Sequence, residues 1–352
     1  MARELMKGNE AFAEAAVRAG CRFFAGYPIT PQSEILEYLS KRMPEVGGIF
    51  IQSESELAGI SMVYGAAAAG YRALTSSSGP GFSLLQEGIS YLASAELPCL
   101  IMDVMRYGSG LGDIFVGQSD YWQTVYNGGH GDYRTIVYAP SSVQETVKLV
   151  SLGFGKAEEH RTPVILLSDA SISQMMEPVD LPAFSEYDPD AHPWTLKGKG
   201  NGLFKRHTSV MYYTSDYDGY LRAKYERIER DEQRWESVRT DDADIVLVAY
   251  GISSRICEDA IAISREKGRK VGLIRPISLY PYPVLAFENL ASAKAFIAVE
   301  MSSLGQMATD VALACRMKRP VYKMQGGSVL FDSSDICGKI EEVYAGNAKE
   351  AF

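Results

Sequence analysis

Short apolar runs, each ending in a turn of small or polar residues and giving way to a longer amphipathic stretch, recur along most of this chain. That rhythm limits what it can fold into. The runs Arg22–Ala25, Ile49–Ile51, Arg72–Thr75, Cys99–Val104, Thr135–Tyr138 and Val164–Leu167 read as strands. Cys99–Val104 is apolar almost without interruption, as a strand covered on both faces must be. Helical patterns lie between them, among them 4–19, the Ala- and Gly-rich Leu57–Gly70, Leu84–Ala93 and Ser142–Glu159. The rhythm resumes with strands at Asp244–Gly251, Lys270–Ile274, Ala295–Val299 and Val321–Met324. Helices are expected at Ser253–Lys267, near Pro283, at Gln306–Met317 and at Ser334–Tyr344. Strand and helix in alternation specify an α/β architecture, with helices on both faces of a parallel sheet. Two such stretches in 352 residues give two doubly wound, mainly parallel-sheet domains. We place the first at residues 1–185, a connector at 186–240 and the second at 241–352.

The connector breaks the alternation. Pro178, Pro182, Pro189 and Pro193 mark an extended passage, and Lys197–Gly202 reads as flexible and basic. Leu221–Val238 is dense in Arg and Glu. It reads as an exposed helix with i,i+4 ion pairs, its charge a solvated face.

Composition narrows the function. The net charge of −9 argues against sequence-independent binding to nucleic acid or to an anionic membrane, both of which need clustered cations. No apolar run reaches the roughly 18 residues of a membrane span; the nearest, Leu57–Tyr71, stops at Arg72. The N-terminus lacks the apolar core of a signal peptide, so a cytoplasmic location is expected. Cys21, Cys99, Cys257, Cys315 and Cys337 are too far apart for a CxxC pair, and His130, His160, His192 and His207 show no HxxxH spacing. The cysteines read as buried free thiols, and we expect no metal on this chain.

Four clusters fall where strands end in the first domain: Tyr27–Pro31, Ser53–Glu56, Ser76–Gly81 and Arg106–Gly112. Parallel strands put their carboxyl ends on one edge, where open α/β sheets bind ligands, so these clusters should converge. In Gly26–Glu34, Thr30 is placed as a helix N-cap with Pro31 as the first helical residue. Glu56 opens a helix, where an acid either complements the helix dipole or does chemistry. Arg106 ends a buried strand, and either a structural ion pair or a bound carboxylate would suit its planar fork. Gly108-Ser109-Gly110-Leu111-Gly112 is not GxGxxG and is a weak signal for a dinucleotide. Tyr107, Ile114 and Phe115 could form an apolar wall or pack in the core.

Several segments together resemble one family. They are Gly8-Asn9-Glu10-Ala11, Ala19-Gly20-Cys21, Gly26-Tyr27-Pro28-Ile29-Thr30-Pro31, Glu56 with Gly65, Thr75 through Gly81, Gln118-Ser119-Asp120 and Gly128-Gly129-His130-Gly131. The family is the alpha subunit of the 2-oxoacid:ferredoxin oxidoreductases, of the 2-oxoisovalerate or 2-oxoglutarate type, in the thiamine diphosphate enzyme superfamily. Glu300-Met301 with Gly305-Gln306-Met307 is similar to the family's second, transketolase C-terminal-like domain. The resemblance spans nearly the whole chain; the family pattern favours Gly and Pro where this chain has Tyr107 and Ser109.

The resemblance implies a thiamine pyrimidine-binding first domain. It implies that Glu56 faces N1′ of the aminopyrimidine and stabilises its imino tautomer, that Thr30 lies near substrate and thiazolium, and that Arg106 holds the 2-oxoacid carboxylate. Tyr27, Pro28, Ile29 and Thr30, with Ser78, Gly79, Pro80 and Gly81, would surround the cofactor. The Gly-Asp-Gly and Asn elements that hold Mg²⁺ and diphosphate in such enzymes are missing, since Gly131-Asp132 and Asp218-Gly219 lack the third element. A beta subunit would therefore carry the diphosphate and Mg²⁺, and a small ferredoxin-like delta subunit or the beta chain the [4Fe-4S] clusters, with a gamma subunit a further expected partner. The implied activity is oxidative decarboxylation of a 2-oxoacid, a branched-chain one favoured, onto coenzyme A with electrons passed to ferredoxin. Pyruvate or 2-oxoglutarate as substrate, a non-catalytic scaffold subunit and a self-sufficient thiamine lyase are the alternatives.

Overall fold

The computed structural model describes residues 3–198 and 217–352. His207 and the basic stretch from Lys199 onward lie outside the described residues. The first half runs β1 (Glu4–Lys7), α1 (Gly8–Arg18), β2 (Phe23–Gly26), α2 (Ser33–Glu45), β3 (Ile49–Gln52), α3 (Glu56–Ala68), β4 (Ala73–Ser77) and α4 (Pro80–Ser94). It continues with β5 (Leu100–Met105), α5 (Tyr121–Val125), β6 (Ile136–Tyr138), α6 (Val143–His160), β7 (Val164–Asp169), α7 (Ala170–Gln174) and β8 (Met176–Val179). The second half adds α8 (Tyr217–Asp231), β9 (Trp235–Val238), β10 (Ile245–Ala249), α9 (Gly251–Glu266), β11 (Val271–Pro276) and β12 (Ser278–Tyr280). β13 (Ala295–Glu300), α10 (Ala308–Ala314), β14 (Val321–Gln325) and α11 (Ser333–Tyr344) complete it.

A seven-stranded sheet has the order β12-β6-β7-β5-β4-β2-β3, and a five-stranded sheet the order β14-β13-β10-β11-β9. Every pairing is parallel except at one edge of each sheet, where β12 and β9 run antiparallel. The central strands β4, β5 and β7 are buried at every residue, which is why their sequences carry no in–out alternation. The chain goes from β2 out to β3 and then back across β2 to β4, so the strand order reverses between β2 and β4. A crevice opens at the carboxyl ends of two such strands.

Several sequence expectations need correction. The first helix does not start at residue 4: Glu4–Lys7 pairs antiparallel with Met176–Val179, and α1 begins only at Gly8. In place of a helix near Pro283 there is one 3₁₀ turn, Val284–Phe287, preceded by β12, which extends the first sheet from a segment far along the chain. Both errors have one cause, a strand partner remote in sequence.

The connector helix is not simply a solvated face. Lys224 is buried, donating to Glu96 at 3.0 Å and to the Arg161 carbonyl at 2.9 Å. Glu232, fully buried, meets Lys156 at 2.8 Å, His160 at 2.9 Å and the Tyr138 hydroxyl at 3.2 Å. The helix is thus held on the first sheet by buried charge. All five cysteines are free and buried. No described helix is long and apolar enough to cross a membrane.

Candidate active site

The four strand-end clusters belong to β3, β2, β4 and β5, which are neighbours in the sheet, and so lie along one edge. The Tyr27–Pro31 turn comes first. Gln32 N–H donates to the Ile29 carbonyl at 3.0 Å across a cis Thr30–Pro31 peptide, the arrangement of a type VI turn. This closure delays α2 to Ser33, with Gln32 at the N-cap position. Thr30 is therefore not the N-cap and Pro31 is not helical. The buried Gln32 side chain locks the turn to the sheet, accepting from Ser76 Oγ at 2.7 Å and donating to the Tyr27 carbonyl at 3.0 Å. Tyr27, Pro28 and Thr30 stay exposed on the edge.

Glu56 is the first residue of α3, after Ser55, whose hydroxyl accepts the Ala58 N–H at 3.2 Å. The Glu56 side chain is 5 % exposed, and among the described residues no hydrogen bond or ion pair engages its carboxylate. It lies against Gly81: a Cβ at residue 81 would sit 2.3 Å from Glu56 Oε1 and 2.3 Å from Ser77 Oγ. Only glycine at 81 lets the acid occupy this place. Ser77 Oγ, which shares that place, is buried with no hydrogen-bond partner among the described residues, as are Thr75 Oγ1 and Ser78 Oγ on the same strand end. Buried polar atoms are nearly always paired, so an orphaned hydroxyl beside an acid marks a place that a polar ligand completes.

Arg106 follows β5 and is 6 % exposed. Its Nη1 donates to the Thr30 carbonyl at 3.0 Å, its Nη2 donates to the Leu111 carbonyl, and its Nε has no partner among the described residues. The side chain packs on the Gly79 turn, with Nε 3.1 Å from where a Cβ at 79 would lie. Asp120 and Gln123 hold that turn from below: Asp120 Oδ2 accepts the Gly79 N–H at 3.2 Å, and Gln123 Nε2 donates to Asp120 Oδ1 at 2.7 Å and to the Gly79 carbonyl at 3.3 Å. Burial pushes the Asp120 carboxyl up to about 6, against the pull of Gln123, the Gly79 N–H and Arg106. Burial, with the Asp120 charge, also raises Asp103, whose Oδ2 accepts from Thr124.

The second sheet closes one side. Gln118 is fully buried and makes four bonds: its N–H donates to the Met301 carbonyl at 2.7 Å, its Oε1 accepts the Met301 N–H and the Ser253 hydroxyl at 2.9 Å each, and its Nε2 donates to the Tyr250 carbonyl at 3.0 Å. The Tyr121 and Tyr126 hydroxyls donate to Asp310 at 2.8 and 2.7 Å. Glu300 accepts the Met307 N–H at 3.0 Å, and burial lifts its carboxyl to about 8. Between the two sheets lies a cleft of about 540 Å³, lined by Arg106, Gly79, Asp120 and Trp122 on one side and by Ser302 to Leu304 on the other. Glu56 and Thr30 do not line it.

Comparison with known proteins places this geometry. Residues 14–234 match the family described as pyruvate flavodoxin/ferredoxin oxidoreductase, thiamine diP-binding, and residues 243–331 match the pyruvate:ferredoxin oxidoreductase core domain II. The chain belongs to the 2-oxoacid:ferredoxin oxidoreductase subunits of the thiamine diphosphate superfamily. A relative in Methanothermobacter thermautotrophicus, ketoisovalerate oxidoreductase subunit VorB, is 48% identical over 99% of this chain and 100% of its own length. The 2-oxoglutarate synthase subunit KorA of Methanocaldococcus jannaschii is 36% identical over 90% of this chain and 93% of its own. Among solved structures, the 2-oxoglutarate:ferredoxin oxidoreductase of Magnetococcus marinus superposes with a TM-score of 0.84 at 26% identity, covering 97% of this chain and 65% of that one. The beta4 tetramer of a split-gene transketolase shares the fold, with a TM-score of 0.63 at 16% identity.

Within this oxidoreductase subunit the residues singled out from sequence fall into two groups. Glu56 and Gly81 lie against the orphaned Ser77 hydroxyl, with Ser78, Gly79 and Pro80 in the same turn; Thr30 and Arg106 meet through a backbone carbonyl. Gln32 and Asp103 escaped the sequence reading, and Asp120 entered it only within the Gln118-Ser119-Asp120 segment of the resemblance, with no role given. Asp103 was legible as the one charged residue inside an apolar strand, whereas nothing local marks Gln32.

Proposed function

We propose that this chain supplies the pyrimidine half of a thiamine diphosphate site, shared with a partner subunit that holds the diphosphate and Mg²⁺. In this reading the complex oxidatively decarboxylates a branched-chain 2-oxoacid such as 2-oxoisovalerate onto coenzyme A and passes electrons to ferredoxin, through [4Fe-4S] clusters on partner subunits. The observation that carries the reading is Glu56, a buried residue at the start of α3 whose carboxylate engages no hydrogen bond or ion pair among the described residues and lies in the Gly81 cradle beside the orphaned Ser77 hydroxyl. That donor set fits a heteroaromatic ring presenting both donors and acceptors. What thiamine diphosphate supplies when bound is a nucleophilic carbon for a 2-oxo carbonyl and an electron sink once CO₂ has left. Glu56 would hold a proton at ring nitrogen N1′. Gly81 keeps side-chain bulk out of the acid's way. Arg106 offers its unpaired Nε–H and remaining Nη protons to a substrate carboxylate, beside Thr30.

The branched-chain preference is supported by the relatives named for ketoisovalerate, which match this chain at higher identity than those named for 2-oxoglutarate. The test is to purify the native complex and assay 2-oxoisovalerate, 2-oxoglutarate, pyruvate and 2-oxoisocaproate with coenzyme A and a viologen acceptor. The two branched acids are expected to show the highest kcat/KM; a preference for 2-oxoglutarate sinks the substrate assignment. Arg106→Lys is expected to raise KM for the 2-oxoacid by roughly ten- to a hundredfold with a smaller change in kcat, because a point charge cannot replace a planar fork that also bridges two carbonyls. Unchanged kinetics would assign Arg106 to structure alone.

A further inference from the structure

The Arg106 guanidinium bridges two backbone carbonyls, those of Thr30 and Leu111. Leu111 is therefore set beside the proposed carboxylate-binding group by the same side chain that would hold the carboxylate. It sits at the tip of a flap, residues 107–115, that is built by its own backbone bonds. The Tyr107 N–H donates to the Phe115 carbonyl at 3.2 Å, the Asp113 N–H to the Tyr107 carbonyl at 2.7 Å, and the Gly112 N–H to the Ser109 carbonyl at 3.1 Å. Leu111 lies between Gly110 and Gly112, both at positive φ (64° and 66°). A Cβ at 112 would lie 2.6 Å from the Tyr107 carbonyl oxygen, so the hairpin closes this tightly only with glycine there.

This flap exposes its large apolar side chains. Leu111 is 81 % exposed, and Ile114 and Phe115 are 59 % exposed each. Core packing, one of the two roles open to Ile114 and Phe115 from sequence, does not apply. Three such side chains grouped on one short flap mark a surface that something apolar covers. The flap carries no Lys, Arg or His, and its charged residue is Asp113. A second carboxylate at the far end of a substrate would meet an acid here and no cation, whereas an alkyl end would meet leucine, isoleucine and phenylalanine.

We infer that Leu111, with Ile114 and Phe115, forms the face that receives the alkyl portion of the 2-oxoacid whose carboxylate Arg106 holds, and so sets the choice between branched-chain monoacids and diacids. This rests on the proposed role of Arg106 and narrows it to a substrate class read by one flap. The flap acts through hydrophobic contact, which discriminates modestly per methylene, and through the cost of leaving a second carboxylate without a counter-charge.

The experiment compares the assembled wild-type complex with complexes carrying Leu111→Ala, Leu111→Arg and Phe115→Ala, measuring kcat/KM for 2-oxoisovalerate, 2-oxoglutarate and pyruvate. Leu111→Ala and Phe115→Ala should each lower kcat/KM for 2-oxoisovalerate about tenfold while leaving pyruvate, with its single methyl group, within about twofold. Leu111→Arg should move the ratio of 2-oxoglutarate to 2-oxoisovalerate by at least about tenfold toward the diacid. Only the main chain of Leu111 bonds to Arg106, so thermal melting should match wild type. Variants that weaken subunit assembly but leave all three substrate ratios unchanged would assign the flap to a subunit contact and overturn the inference. A wild-type complex active on branched acids whose preference none of the variants moves overturns it too. A wild-type complex with no 2-oxoacid-dependent electron transfer sinks the broader reading as well.

Discussion

Replacing Glu56 by Gln is expected to cut turnover of the assembled complex by about 10²–10⁴-fold, the usual weight of a positioned acid or base, while assembly and thermal stability stay as in wild type. The two halves of this expectation come from different observations. Stability should hold because among the described residues the Glu56 carboxylate engages no hydrogen bond or ion pair, so an isosteric amide removes no partner. The start of α3 is secured separately by the Ser55 hydroxyl, which accepts from the Ala58 N–H. Turnover should fall because an amide carries no charge to hold a proton on a ring nitrogen. Steady-state viologen reduction, analytical ultracentrifugation of the complex and calorimetric binding of thiamine diphosphate separate these effects. Near-normal turnover would remove Glu56 from the chemistry. Lost assembly with normal turnover per complex would make it a structural acid and favour a scaffold role for the chain.

What could be read from the sequence follows the distance over which each feature is decided. The turns at strand ends and the helix opening at Glu56 are set by nearby residues: an apolar run, then Gly, Ser or Pro, then an amphipathic stretch. Those stood where the pattern put them. The Thr30–Pro31 turn is also local, but its closure through Gln32 N–H and the Ile29 carbonyl competes with helix capping, and the cap reading lost. Other features depend on partners far along the chain. Glu4–Lys7 has helical spacing and becomes a strand because Met176–Val179 offers an edge. Gln118 belongs to a segment that carries the resemblance, but its role emerges only when Met301, Ser253 and Tyr250 converge on it. Leu111 gains meaning only once its carbonyl is found on Arg106. Local spacing cannot carry this information, because these contacts are made by folding the second sheet and the flap back onto the first.

The connector helix shows the same limit and gives the largest stability effect expected. Glu232→Ala should lower the melting temperature by on the order of 10 °C, since breaking a buried ion pair from one side costs about 3–5 kcal/mol and each kcal/mol moves a chain of this class by roughly 2–4 °C. The cost arises because Lys156 and the fully buried His160 would face each other without the anion between them, and the Tyr138 hydroxyl and Arg234, 3.3 Å from the acid, would lose an acceptor. Glu159, His160 and Glu232 also have the look of a metal-ligand group, but the Lys156 ammonium already supplies the cation. Burial by itself would raise the Glu232 carboxyl; His160 and Lys156 overcome that and hold it at about 2. A carboxyl depressed in the folded state contributes stability that is present above its ordinary value near 4.5 and is lost as pH falls through 2. Wild type should therefore show an acid limb in melting temperature between about pH 4.5 and pH 2 that Glu232→Gln lacks. Activity per folded complex at pH 7 should be unchanged in both variants, because the cluster touches none of the strand-end residues. A shift of only about 1 °C, as for a surface residue, would return this helix to the solvated face its charge pattern suggests.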